Sequence, residues 1–147
     1  MLFRSVLKEP GGIVLADVAI DLRKIDIPVY FLSAREDHIA PWPSTYAGTQ
    51  LLSGPVRFVL GASGHVAGVI NPPSANKYGY WTNDALPAEP EDWLNGATHH
   101  QGSWWTDWAE WLAGHGGGQV AARRPGSGKL RPLEDAPGSY VAVRAAA

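Results

Sequence analysis

The chain has no cysteine among its 147 residues. That absence excludes a disulfide framework, a zinc-thiolate site and a thiol nucleophile supplied by the chain itself. Long apolar runs are lacking as well: Val56 to Leu60 is interrupted by Arg57 and falls far short of the roughly 20 residues that cross a bilayer. The segment from Met1 to Pro10 has no sustained apolar core followed by a small-residue cleavage site. It does not read as a signal peptide, and a cytoplasmic chain is the expectation. Positive charge is not in excess either. Twelve Lys and Arg against 14 Asp and Glu leave a net charge of -2, which offers no field to draw in a phosphate backbone, so nucleic acid is not an expected partner.

What is there suits one folded domain: 45% hydrophobic residues with 18% charged is not the composition of a disordered polyampholyte, although 17 Gly and 12 Pro promise many loops. The charge is unevenly spread. Residues 1–77 carry seven basic and six acidic groups, residues 78–118 six acids and no Lys or Arg, and residues 119–147 five basic groups against two acids. From Gly114 onward seven Gly and three Pro in 34 positions cannot sustain a helical or strand period. Residues 1–113 are therefore expected to form the folded part and residues 114–147 an extended Gly/Pro-rich tail.

Two short apolar runs, Ile13 to Leu15 and Val18 to Ile20, flank Ala16-Asp17 and read as a hairpin. After Pro28, Val29-Tyr30-Phe31-Leu32 is a nearly continuous apolar run, of the kind found in a central strand buried on both faces. Ser44 can cap a helix whose apolar face includes Tyr46, Ala47, Leu51 and Leu52, with Gly54-Pro55 ending it. Val56 to Leu60 is a second strand closed by Gly61 and Gly64. Strand, helix, strand predicts a parallel, right-handed βαβ unit in an α/β fold, which brings the residues just beyond the two strands to one edge of the sheet.

Those residues are Asp37 and His65. A carboxylate accepting from one imidazole nitrogen fixes the tautomer and leaves the other nitrogen free as a base. Acid before histidine is also the chain order in the second half of an α/β-hydrolase triad. On spacing alone the two residues fit better as turn or loop-capping groups than as a pair. His38, one step from Asp37, points away from it if the stretch is extended, and is read as a loop residue or one that supports the pair from beside it. His99 and His100 are read as solvated or packed at a helix end, and no metal site is assigned. Gly61-Ala62-Ser63-Gly64-His65 imitates a nucleophile elbow, but its fifth residue is His rather than Gly and Ser63 comes after Asp37. Ser63 is instead expected in a tight turn that aims His65.

Three segments, residues 33–42, 58–73 and 80–84, together with residues 100–108 and 137–141, carry a specific likeness over nearly the whole chain. It resembles the C-terminal portion of the class I polyhydroxyalkanoate (poly(3-hydroxybutyrate)) synthases. The resemblance implies an α/β-hydrolase fold, of which residues 1–113 would be the C-terminal half. It also implies an acyltransferase that polymerises (R)-3-hydroxyacyl-CoA thioesters with release of CoA, using a cysteine, an aspartate and a histidine. Asp37 and His65 match the aspartate and histidine; the family's cysteine lies upstream of the matching region. His65 would take the thiol proton, while Asp37 would orient His65 or activate the incoming 3-hydroxyl. The coenzyme A thioester enters as substrate, so no cofactor is expected. The implied partners are the (R)-3-hydroxyacyl-CoA, the polyester chain, an upstream synthase fragment and, as in the family, a second copy, with the enzyme at the surface of polyester granules. A non-catalytic, granule-associated fragment derived from such a synthase is the alternative.

Seven tryptophans are present. Trp104, Trp105, Trp108, Trp111 and Leu112 recur at helical spacing, with Thr106, Asp107 and Glu110 opposite, and read as a core-facing stripe. If half of a hydrolase sheet is missing, a strand edge and apolar side chains are left to water, and the isolated chain is expected to be aggregated, partly molten or dependent on a partner.

Overall fold

The structure, a computed structural model, describes residues 6–124 and 126–145. The chain divides into two compact units, Met1–His115 and Gly116–Ala147. In the second, regular structure among the described residues is limited to a 3-10 turn at Ser139–Ala142.

The first unit opens with a hairpin of β1 (Val14–Leu15) and β2 (Val18–Ala19). Ala16 and Asp17 make its turn with φ of 47° and 63°, the left-handed pair that matches the twist of a two-residue hairpin loop. A four-stranded sheet follows in the order β3 (Val29–Ala34), β4 (Val56–Gly61), β5 (Gly79–Thr82) and β6 (Thr98–Gln101). β3 and β4 are parallel, joined through α1 (Trp42–Ala47) and a 3-10 turn; β4, β5 and β6 are antiparallel. The sheet is therefore mixed, compatible with an α/β fold. β3 stands at its edge and is half-buried over most of its length, so the expected central strand is in fact β4, whose Phe58, Val59 and Leu60 are buried.

The helix expected from Ser44 to the Gly54-Pro55 stop starts earlier and is shorter, the α-helix running over Trp42–Ala47 and a 3-10 turn over Gly48–Leu51, and Ser44 does not cap it. Pro41 occupies the cap position and Pro43 the first turn, where a missing N–H costs nothing. α2 (Pro90–Asn95) starts the same way, with Glu91 and Asp92 in its first turn, where acidic groups complement the helix dipole. These two short helices cover one face of the sheet. Trp42 and Tyr46 from α1, Trp93 from α2, and Phe58 and Leu60 from β4 form the core. The Phe58 ring stands edge-on to both Trp93 and Tyr46, with centroids 4.8 and 5.0 Å away, the arrangement that ring quadrupoles favour.

The other face is covered by α3 (Trp105–His115). Here the expectation fails in two respects. No residue of α3 is fully buried, and Trp108 and Leu112 are each 41% exposed, so the tryptophan stripe is not the core. Asp107 lies on the sheet side rather than opposite it. Tyr30 and Arg57, paired across β3 and β4, both reach it: Tyr30 donates to Asp107 Oδ1 at 2.9 Å, Arg57 Nε donates to the same oxygen at 2.8 Å, and Arg57 Nη2 engages Oδ2. Residues 104, 107 and 111 share one face of a helix, and the Trp104 and Trp111 rings lean on Tyr30. α3 is thus docked by a half-buried, fork-shaped ion pair framed by aromatic rings.

Burial alone pushes the Asp107 carboxyl up, but hydrogen bonds from Arg57 and Tyr30 outweigh it and hold the group below its ordinary range. Burial, then the Asp107 charge, pushes the Tyr30 hydroxyl far above its ordinary value.

Two stability outcomes follow from this architecture. Trp93→Ala removes the largest fully buried side chain and should cost about 3–5 kcal/mol in denaturant or thermal unfolding. The Tyr30–Arg57–Asp107 cluster should contribute fully between about pH 4 and 10. Its contribution is lost as pH falls through the lowered Asp107 value, and at the other end as pH rises from the ordinary tyrosine range toward the raised Tyr30 value. Asp107→Asn should flatten the acid limb and, because Arg57 keeps access to water, cost only about 1–3 kcal/mol.

Candidate active site

The parallel pairing of β3 and β4 continues past the ends of the strands. Arg35 N–H donates to Gly61 O at 2.8 Å and Glu36 N–H to Ser63 O at 3.0 Å. These bonds bring the loop carrying Asp37 against the loop carrying His65. Asp37 Oδ1 lies 3.7 Å from His65 Nδ1, within ion-pair range and just beyond a hydrogen bond. The Asp37 side chain is 11% exposed and that of His65 44%. Because Nδ1 is the nitrogen facing the carboxylate, Nε2 remains for a reacting group.

Asp37 also does what a loop-capping aspartate does. Its Oδ1 accepts from Ile39 N–H at 2.8 Å and Ala40 N–H at 3.1 Å, closing the chain that leads into α1. The amides of Ala40 and Ile39, with smaller help from the two histidines, outweigh burial and hold the carboxyl below its ordinary value. The capping and paired readings of Asp37 are therefore not alternatives: the bonds that cap the loop also fix the carboxylate beside His65.

On the other side, Ser63 adopts φ of 67°, a conformation in which a residue other than glycine is uncommon. Its carbonyl is held by Glu36, so Ser63 is a backbone element of the turn. The chain then coils through a short turn in which Gly68 N–H donates to Gly64 O at 2.8 Å and Ile70 N–H to Val66 O at 2.8 Å. Gly68 is dictated by space: a Cβ there would lie 2.2 Å from Ala62 O. The far end of this turn is tied to the start of α3, since the indole N–H groups of Trp104 and Trp105 both donate to Val69 O, at 3.2 and 2.9 Å. Ile39, Val66 and Ile70, in the same two loops as Asp37 and His65, are exposed.

Three other histidines singled out in the sequence take the following places. The stretch after Asp37 turns rather than extends, and the His38 ring comes edge-on to His65, with centroids 5.9 Å apart. His99 and His100 are not at a helix end. They lie on β6, where His100 stacks on Tyr80 at 4.8 Å and its Nε2 meets Thr82 Oγ1 at 2.8 Å. No group of three or more metal-ligating side chains gathers among the described residues, and no helix among them is long and apolar enough to cross a membrane.

Comparison with known proteins shows what the chain is similar to. The chain is 54% identical over 143 residues to the poly(3-hydroxyalkanoate) polymerase subunit PhaC of Cupriavidus necator, covering 97% of the chain and 24% of that protein. It is 48% identical over 125 residues to the subunit of the same name from Rhizobium etli, covering 85% and 20%. The chain is a homologue of the C-terminal portion of the poly(3-hydroxyalkanoate) polymerases. It spans about a quarter of the length of the curated relatives it matches. The likeness extends to poly(3-hydroxyalkanoate) polymerase 2 of Ectopseudomonas oleovorans, at 39% identity over 94% of the chain. No protein-family model matches the chain.

If Asp37 holds its loop as described, Asp37→Ala should speed amide exchange at Ile39 and Ala40 by about an order of magnitude while leaving exchange in β4 unchanged. In the parent chain, protection of these two amides should persist below the ordinary carboxylate range and vanish only as pH falls through the lowered Asp37 value.

Proposed function

We propose that this chain supplies the aspartate and histidine of a polyhydroxyalkanoate synthase, an acyltransferase that polymerises (R)-3-hydroxyacyl-CoA, such as 3-hydroxybutyryl-CoA, with release of CoA. The observation that carries the reading is the placement of Asp37 beside His65 at the end of a parallel strand pair, in a homologue of polymerases named for this chemistry. His65 acts as the base that takes a thiol proton. The resulting thiolate attacks the thioester carbonyl, the C–S bond to CoA breaks, and the acyl group is carried as a new thioester. Asp37 orients the imidazole or assists the 3-hydroxyl of the next monomer.

The thiol must come from outside these 147 residues, which contain no cysteine. The exposed Ile39, Val66 and Ile70 give the cysteine-bearing part an apolar surface to sit on. A second reading is a non-catalytic fragment that keeps the polymerase's surfaces at the granule. Both readings place the chain with polyester synthesis.

The test is CoA release from 3-hydroxybutyryl-CoA by the chain alone and with a cysteine-bearing remainder of a related polymerase supplied in trans. No release is expected from the chain alone. The combination should release CoA, and His65→Ala should lower that rate by about 10²–10⁴-fold. A complex that forms and stays inactive favours the second reading; His65-dependent release by the chain alone would contradict both.

A further inference from the structure

The segment from Gly102 to Trp105 is far in sequence from Asp37 and His65, yet it holds one end of the His65 turn. Two consecutive indoles converge on one carbonyl: Trp105 Nε1–H donates to Val69 O at 2.9 Å and Trp104 Nε1–H to the same oxygen at 3.2 Å. A carbonyl oxygen has two acceptor sites, and here both are filled by rigid, ring-borne donors. The donors are themselves immobilised. Ser103 is buried and its Oγ accepts from Trp105 N–H at 3.0 Å, while Trp104 packs on Tyr30 and on Trp108. α3 behind them is pinned to the sheet through Asp107 and Arg57. The other end of the His65 turn is fixed by Glu36 N–H on Ser63 O. The turn is thus clamped from the Asp37 loop on one side and from α3 on the other, with His65 between the clamps.

We propose that Trp104 and Trp105 are positioning residues for His65, setting the approach of its ring to Asp37 through their shared bond to Val69 O. The role rests on the catalytic reading above only for its purpose; the coupling itself is a property of this chain. It explains why consecutive tryptophans at the start of a helix that buries none of its residues completely keep their ring nitrogens turned to the loop. Packing alone would be served by phenylalanine. The indole N–H adds what a phenylalanine ring lacks, a donor that can hold a carbonyl.

The coupling is measurable without substrate or partner. In long-range ¹H–¹⁵N spectra of the histidine rings of the full chain at fixed pH, Asp37→Asn should move the His65 ring nitrogens. In a Trp104→Phe/Trp105→Phe background, which keeps aromatic rings and removes both donors, that movement should shrink by about twofold or more. In a Leu112→Ala background, which trims an exposed side chain two turns along α3 from Trp104, it should keep its full size. If the double variant does not fold, Trp105→Phe alone, which removes the shorter bond, is judged by the same criterion. A full-sized movement in the folded indole-deficient variant, or an equal loss in Leu112→Ala, overturns the proposal. No movement on Asp37→Asn in the parent chain overturns the Asp37–His65 pairing itself, a different failure from an undiminished movement in the variant. Inactivity of the reconstituted enzyme touches only the catalytic reading.

Discussion

Everything at the candidate site depends on the parallel register of β3 and β4 being carried two residues beyond the strands. Backbone bonds from Arg35 and Glu36 to Gly61 and Ser63 make two loops into one unit. A side chain alone could not do this, because loop backbone left unpaired samples many conformations at a cost of about 1–2 kcal/mol per residue to fix. Once the backbones are zipped, a carboxylate capping its own loop and an imidazole at the head of a short turn meet with little further ordering. The left-handed Ser63 and the space-limited Gly68 are the local concessions that let the chain pass from strand to turn within four residues.

The two faces of the sheet solve different problems. The α1 and α2 face is a closed aromatic core around Trp93, and it supplies stability. The α3 face is a half-open aromatic layer organised around a charged pair, and it supplies position: through Asp107 it fixes α3, and through Trp104 and Trp105 it fixes the far end of the His65 turn. A layer used for positioning need not be dry, which is why tryptophans that pattern as core sit partly in water.

β3, α1, β4 and the pairing of Asp37 with His65 were legible because apolar runs of strand length, broken by Pro and Gly, dictate a crossover and the crossover dictates the shared edge. The hairpin was legible from two short apolar runs around Ala16-Asp17. β6 was not, since Thr98-His99-His100-Gln101 has no apolar alternation and becomes a strand only by pairing with β5. α2 left a signal that pattern reading passed over: Pro90 at the first turn followed by Glu91 and Asp92 is a helix start. Asp107 was misplaced because a periodicity argument assigns charges to the outer face, whereas a helix can turn a carboxylate inward when an arginine on the neighbouring strand meets it. The chain corresponds to about a quarter of the length of its relatives and exposes apolar side chains around Asp37 and His65.

The central claim, that the zipped loops of β3 and β4 hold Asp37 and His65 together in the chain by itself, is most directly tested by nuclear Overhauser contacts of the His65 ring in the isolated protein. The account predicts cross-peaks from the His65 ring protons to the Asp37 β-protons and to the His38 ring. A spectrum in which the β3–β4 register is intact but His65 shows neither contact would contradict it.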